Sequence, residues 1–107
     1  MTNDEFDYIL GNRIDKIKKT LSVKAKEYAL GDRLYNFKRS ATMLNTSPRK
    51  ALWGIAMKHL VSVIDLVNED LDDSYADEKI GDMINYLILL EAIIKEESNL
   101  DEEPLEK

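Results

Sequence analysis

Cysteine is absent from this chain of 107 residues, and histidine, proline and glycine are scarce. Without thiols the chain cannot form disulfides, thiolate metal sites or a cysteine nucleophile, and this composition suits a reducing compartment. Two prolines and four glycines, together with 34% charged residues, favour long helices over a turn-rich β architecture. The sequence has one histidine and offers no convincing Ser-His-Asp catalytic triad. It also has no glycine-rich phosphate-binding loop of the P-loop type.

Long apolar runs are missing as well. None approaches the roughly 20 residues of a membrane span, and the amino-terminal residues 1–5 are acidic, unlike a signal peptide. We therefore predict a soluble, cytoplasmic protein with no membrane partner. Its length and 44% hydrophobic content predict one domain with a small core that benefits from a partner chain.

The net charge of −6 is unevenly distributed along the chain. Residues 13–58 contain twelve basic and three acidic residues, a balance of +9, whereas residues 59–82 contain eight acids and one lysine. Most such charges solvate helices, but a basic face beside acidic residues could also attract phosphates and hold a divalent cation. No DNA-binding motif accompanies the basic stretch, so duplex DNA is not an expected partner.

Helical periodicity and capping signals divide the chain into four main helices. The first should start near Asn3, with Thr2 as its cap, and the second should bury the stripe that contains Leu34, Phe37, Ala41 and Leu44. Ser47 and Pro48 begin a third helix that ends near Val67, and Ser74 should cap a fourth that ends near Glu97. We predict an all-α, four-helix bundle-like domain over residues 1–97, followed by a disordered acidic tail over residues 98–107.

The third and fourth helices are apolar around most of their circumference. The expected core stripe of the fourth helix comprises Ile80, Met83, Ile84, Leu87, Leu90 and Ile94. The third helix leaves only Lys58, Ser62 and Asp65 as a narrow polar strip. A single four-helix layer has too few neighbours to cover both helices, so we predict a homodimer or higher oligomer.

Candidate chemistry centres on Glu78 and Asp82, which lie one helical turn apart on the last helix. Two such carboxylates could hold Mg²⁺, with Asn85 as an additional ligand and Lys58 and Asp65 facing them from the third helix. Alternatively, the two acids simply favour the positive amino-terminal end of their own helix, and a Lys58–Asp82 pair is structural. The lone His59 lies on the apolar arc of its helix and is expected to be a packing residue.

A second set of candidate ligand contacts lies around Gly31. Tyr28 or Tyr35 could stack on a nucleobase, while Lys24, Arg33 or Lys38 takes phosphate oxygens. The opposing interpretation is an amphipathic helix with packed aromatics and solvated lysines. The candidates in this segment are Lys24, Glu27, Tyr28, Asp32, Arg33 and Asn36.

The order of these motifs resembles the nucleotide-modification-associated domains of phages and prophages. It is carried by Lys24-x-x-Glu27-Tyr28, Asp32 with Asn36-Phe37, Lys58-His59, and Glu78-x-x-x-Asp82-x-x-Asn85-Tyr86. These domains are in turn similar to the MazG-type all-α nucleoside triphosphate pyrophosphohydrolases. The resemblance covers roughly residues 20–95, and it implies Mg²⁺-dependent hydrolysis of the α–β phosphate bond by a dimer or tetramer.

This resemblance assigns roles to particular residues. Glu78, Asp82 and Asp65 become metal ligands, with Glu27 or Asp32 as further candidates, and Lys58 becomes a catalytic residue beside Glu78 and Asp82. The nucleotide contacts are Lys24, Glu27, Tyr28, Arg33, Asn36 and Asn85. Two departures stand out: Glu78 lies four residues before Asp82 rather than three, and the third helix lacks the expected Glu-Glu-x-x-Glu run.

Two functions are therefore expected. The first is a nucleotide-binding or nucleotide-hydrolysing protein. The second is a non-catalytic, phage-encoded interaction protein of the host cytoplasm that inhibits a host defence or nucleic-acid-processing factor, as anti-CRISPR proteins do.

Overall fold

A computed structural model describes residues 1–24 and 31–99, and all regular structure within these ranges is helical. Its elements are α1 (Asn3–Lys18), a π-helical segment (Lys19–Lys24), α2 (Tyr35–Met43), α3 (Pro48–Asn68) and α4 (Asp73–Asn99). The all-α prediction is confirmed. The chain divides into two compact units, residues 1–33 and 34–107, which are described separately below.

The first unit contains α1, which starts where its capping signal predicted. The hydroxyl of Thr2 accepts a hydrogen bond from the backbone N–H of Glu5 at 3.1 Å, which satisfies one of the free donors at the helix start. At the end of the unit, the Arg33 guanidinium donates a hydrogen bond to the backbone oxygen of Leu21. α1 itself buries no residue.

In the second unit, α2 ends in a Schellman motif. Asn45 takes a left-handed conformation, with φ of 54°, and its N–H donates to the oxygen of Thr42 at 3.2 Å. The N–H of Thr46 donates to the oxygen of Ala41 at 2.9 Å. Asparagine tolerates this conformation better than most residues, so the chain turns sharply here. The turn leaves Leu44 68% exposed, and its predicted place in the core stripe is wrong.

The start of α3 agrees with the prediction: Ser47 caps it by accepting from the N–H of Lys50 at 3.3 Å, and Pro48 follows at the first helical position. This 21-residue helix, whose most apolar 18-residue window has a mean hydropathy of 1.2, is long and apolar enough to cross a membrane. A single such helix is weak evidence for a span, because the core helix of a soluble protein meets the same criteria. In this unit α3 contacts both α2 and α4, so it is the central helix.

The start of α4 corrects one prediction. The helix begins at Asp73, and the carboxylate of Asp72 accepts a hydrogen bond from the N–H of Tyr75 at 2.8 Å. Asp72, rather than Ser74, is therefore the cap. α4 continues to Asn99, and the rest of the predicted tail, residues 100–107, lies outside the described residues.

The core of the second unit is small and lies where the three helices meet. Its buried side chains are Leu34, Leu52, Ala56 and Ile93, against which Phe37, Tyr86, Leu89 and Leu90 pack. Leu52 is the largest fully buried side chain, at 1% exposure. Salt bridges tie the end of α4 to its neighbours: Lys38 of α2 pairs with Glu96 at 2.5 Å, and Arg49 of α3 pairs with Glu97 at 2.6 Å.

The buried face of α4 differs from the predicted stripe. Tyr86, Leu89, Leu90 and Ile93 face the core, and of these only Leu90 belongs to the predicted stripe. In contrast, Ile80 and Leu87 are 41% and 49% exposed. At 100° per residue the true face is rotated by about a third of a turn from the predicted one. Asp82 therefore lies on the side of α4 that faces α3.

Candidate functional site

The candidate site lies between α3 and α4, which pack antiparallel. Arg49, near the start of α3, pairs with Glu97, near the end of α4. Further along, His59 of α3 lies against Asp82 of α4. Because the residue number rises on one helix as it falls on the other, the two helices run in opposite directions, as a Lys58–Asp82 pairing had required.

Asp82 contacts α3, but through a different residue from the one predicted. Its Oδ2 lies 3.4 Å from Nδ1 of His59, and the two side chains are 38% and 14% exposed, respectively. Within the described part of the chain, Lys58 forms no ion pair with Asp82 and is exposed. Adjacent helical residues point about 100° apart, so the rotation of α3 directs His59, not Lys58, toward α4.

His59 also stacks on an aromatic ring of α4. The ring centroids of His59 and Tyr86 are 5.0 Å apart, with an angle of 28° between the planes. Burial, followed by the negative charge of Asp82, raises the pKa of the Tyr86 phenol above 10.0. The phenol therefore keeps its proton at neutral pH and is available as a hydrogen-bond donor.

Asn85, which follows Asp82 by three residues on α4, contributes an unsatisfied acceptor. Its Oδ1 is buried and has no hydrogen-bond partner. Most buried polar atoms are paired, and an unpaired acceptor costs about 1–3 kcal/mol. We call His59, Asp82, Asn85 and Tyr86 the polar cluster. It combines a carboxylate, an amide oxygen and an aromatic stack on two adjacent helices.

Glu78 does not join the polar cluster. Its side chain is 65% exposed and its carboxylate lies 3.4 Å from Nζ of Lys79. The same ammonium lies 5.3 Å above the centroid of the Tyr75 ring, a cation–π distance. Glu78 thus forms a surface contact one turn before Asp82.

The predicted magnesium ligands do not form a complete set. Within residues 1–24 and 31–99, no group of three or more His, Asp or Glu side chains is placed to hold a metal ion. Asp65 is half-buried on α3, and its backbone oxygen accepts the N–H of Glu69 at 2.8 Å. Within the polar cluster, the carboxylate of Asp82 and the amide oxygen of Asn85 are the groups that could act as metal ligands.

The remaining predicted contacts lie elsewhere. Glu27 and Tyr28 lie outside the described residues, as does the side chain of Lys24. Arg33 donates to the backbone of its own unit. Asn36 is exposed in the first turn of α2.

His59 and Tyr86 are the members of the cluster that the sequence reasoning did not assign to the site. A signal was present: both occur in the motifs Lys58-His59 and Asn85-Tyr86 that carry the family resemblance. His59 was instead interpreted as a packing residue, and its low exposure agrees with that interpretation in part. His59 can be assigned to the cluster only when the rotation of α3 relative to α4 is known, and the sequence does not give that rotation.

Chemically, the polar cluster offers two acceptors, one phenolic donor and a flat aromatic surface. These groups suit a ligand with amino or hydroxyl donors and a planar ring. No protein-family model, curated protein sequence or solved structure matches this chain.

Proposed function

We propose that this chain is a helical nucleotide-binding protein whose ligand contacts lie on α3 and α4. The observation that carries the proposal is the unpartnered buried oxygen of Asn85, on the same part of α4 as Asp82 and Tyr86, the two residues that contact His59. If α3 and α4 part slightly, an exocyclic amino group or a ribose hydroxyl would reach and satisfy that buried oxygen and so remove the cost of its isolation.

The charges around the cluster agree with a phosphorylated ligand. Lys58 precedes His59 on α3 and is exposed, so its ammonium is available to a phosphate at the edge of the cluster. Asp82 remains 38% exposed, which leaves its carboxylate accessible from solvent. The aromatic pair supplies the apolar surface on which a nucleobase would rest.

In this proposal Mg²⁺ binds together with the nucleotide. Proteins usually hold Mg²⁺ through one or two carboxylates together with substrate phosphates and water, and Asp82 is the carboxylate in the cluster that could do so. The described residues do not fit a centre built from several protein acids. The family resemblance implies hydrolysis of the α–β phosphate bond, and this reaction needs further acidic metal ligands. One candidate for such a ligand, Glu27, lies outside the described residues.

The proposal is tested by melting the protein with Mg²⁺ and each common ribo- and deoxyribonucleoside triphosphate. A ligand present at about 100 times its Kd adds about 2.7 kcal/mol to the free energy of unfolding, so the melting temperature should rise by several degrees. Asp82→Asn and Asn85→Ala should reduce the shift. Glu91→Gln is the matched control, because Glu91 is an exposed acid of the same helix. No shift with any nucleotide, or an equal shift in Asp82→Asn, would refute the proposal.

A second candidate function rests on apolar surface. On α4 an open depression is lined by Ile84, Leu87, Ile88, Leu90, Glu91, Ile94 and Lys95, and three of these isoleucine and leucine side chains (Leu87, Ile88 and Ile94) are at least 36% exposed. Exposed apolar patches are typical of protein-binding surfaces. This surface supports a non-catalytic interaction protein that inhibits a host factor. In that case Leu87→Asp should abolish partner binding, whereas Asp82→Asn should leave it intact.

A further inference from the structure

The first unit contains an amphipathic helix whose apolar face is not covered by other residues of that unit. Phe6, Ile9, Leu10 and Ile14 of α1 are 55%, 51%, 48% and 41% exposed. With Ile17, which is half-buried, they recur at helical intervals and form one stripe. Burying a side chain of this type stabilises a protein by about 1.5–3 kcal/mol, so this stripe is a strong candidate for contact with another chain.

The charges of α1 are separated along its length. The first half contains Asp4, Glu5 and Asp7 and no basic side chain. The second half, with the residue that follows it, contains four basic residues and one acid, Asp15. The basic residues are Arg13, Lys16, Lys18 and Lys19. One end of the helix is thus acidic and the other basic, and the same apolar stripe runs between them.

We propose that α1 pairs with α1 of a second copy of this chain, in antiparallel orientation. Only this orientation places the acidic half of each helix beside the basic half of the other, and a parallel pair would juxtapose like charges. The helix dipoles also favour it, since the positive amino-terminal end of each helix then lies beside the negative carboxy-terminal end of the other.

The register follows from the charges. Asp4–Asp7 and Arg13–Lys19 lie on either side of a midpoint near residue 11. A pair centred between residues 11 and 12, about one residue from that midpoint, brings Phe6 of one protomer opposite Ile17 of its partner, and Ile9 opposite Ile14. The interface is isologous and closes on two copies. This interface specifies the contact surface and the helix orientation of the homo-oligomer expected from the sequence. The proposal does not depend on nucleotide binding.

Cross-linking tests the orientation directly, because the chain has no native cysteine. Full-length Phe6→Cys and Ile17→Cys proteins, one carrying a mass tag, are mixed and treated with a short bismaleimide. The mixture should give a cross-linked heterodimer. Phe6→Cys alone should not cross-link, since its two copies would be about 16 Å apart along the axis at 1.5 Å per residue. Cross-linking of Phe6→Cys to itself, without the mixed product, would overturn the proposal.

Charge reversal tests the energetics by sedimentation equilibrium. Lys18→Glu should weaken dimerisation about tenfold at low salt, because position 18 flanks the apolar stripe and its new carboxylate lies beside the acidic half of the partner helix. Adding Asp7→Lys, which flanks the stripe on the same side, to the same chain should restore dimerisation. Lys95→Glu, which changes the charge equally at an exposed position of α4, should have little effect. A monomeric wild-type protein at micromolar concentration, or a dimer that the α1 reversal does not weaken, would overturn the proposal.

Discussion

Nδ1 of His59 lies 3.4 Å from Oδ2 of Asp82 across the α3–α4 contact, while the imidazole stacks on Tyr86. The neighbouring positions along α4 toward its carboxyl end, Leu89 and Ile93, belong to the apolar core. Polar side chains at the margin of such a core contribute less to stability than apolar ones of equal volume. Their presence together with an unsatisfied Asn85 oxygen is what distinguishes this part of the contact from ordinary helix packing.

The environment of Tyr86 predicts a loss of stability at alkaline pH. Burial and Asp82 raise the folded-state pKa of its phenol above 10.0, so the folded state holds this proton more tightly than the unfolded state. The resulting stabilisation is complete below the unfolded-state pKa and is lost as pH rises through the folded-state pKa.

Urea unfolding between about pH 8 and about pH 11 checks this prediction. Wild type should lose more stability over this interval than Tyr86→Phe, which has no phenol to ionise. Tyr8→Phe is the control, because Tyr8 is 76% exposed on α1, and it should lose stability as wild type does. Equal alkaline losses in wild type and Tyr86→Phe would show that the environment of Tyr86 does not disfavour its phenolate.

The core assignment predicts a large difference between two leucines. Leu52→Ala should reduce the free energy of unfolding by about 2–5 kcal/mol, because Leu52 is fully buried between α2, α3 and α4 and its truncation leaves a cavity. Leu44→Ala makes the same chemical change at a side chain that is 68% exposed, and its effect should stay within about 0.5 kcal/mol. Chemical denaturation monitored by circular dichroism measures both. Comparable losses in the two variants would contradict the described core.

The cap of α4 predicts a second pair of outcomes. Asp72→Ala should cost about 1 kcal/mol, because it removes the acceptor of the Tyr75 N–H. Ser74→Ala lies inside the helix and should change stability by less than about 0.5 kcal/mol. Thermal unfolding of the two variants distinguishes them, and a larger loss for Ser74→Ala would return the cap to the position expected from the sequence.

The cap of α4 and its buried face are two features that sequence patterns did not determine. The starts of α1 and α3 were predictable because each has one unambiguous capping residue, Thr2 and Ser47. At the start of α4 there are three consecutive residues of capping type, Asp72, Asp73 and Ser74, and local spacing does not choose among them. The buried face of α4 was ambiguous for a related reason: apolar residues surround the helix, so periodicity gives no direction. Packing of Ile93 against Leu52 and Ala56 sets the rotation.

The same rotation explains which residue of α3 Asp82 contacts. Asp82 was predicted to face the third helix, and it does. Its partner depended on a choice between the neighbours Lys58 and His59, which point in different directions from α3. Charge alone favoured Lys58, whereas the tertiary packing presents His59. The unsatisfied oxygen of Asn85 has no sequence signal at all, since it depends on burial by the folded chain.

The most direct test of nucleotide binding uses the fact that His59 is the only histidine in the chain. Its imidazole gives one isolated set of NMR signals, which can be followed while Mg²⁺ and a nucleoside triphosphate are added to the full-length protein. Our account predicts that these signals shift and reach saturation with the nucleotide, and that Asp82→Asn and Asn85→Ala weaken the response. Imidazole signals that stay unchanged through the titration with every nucleotide would contradict it.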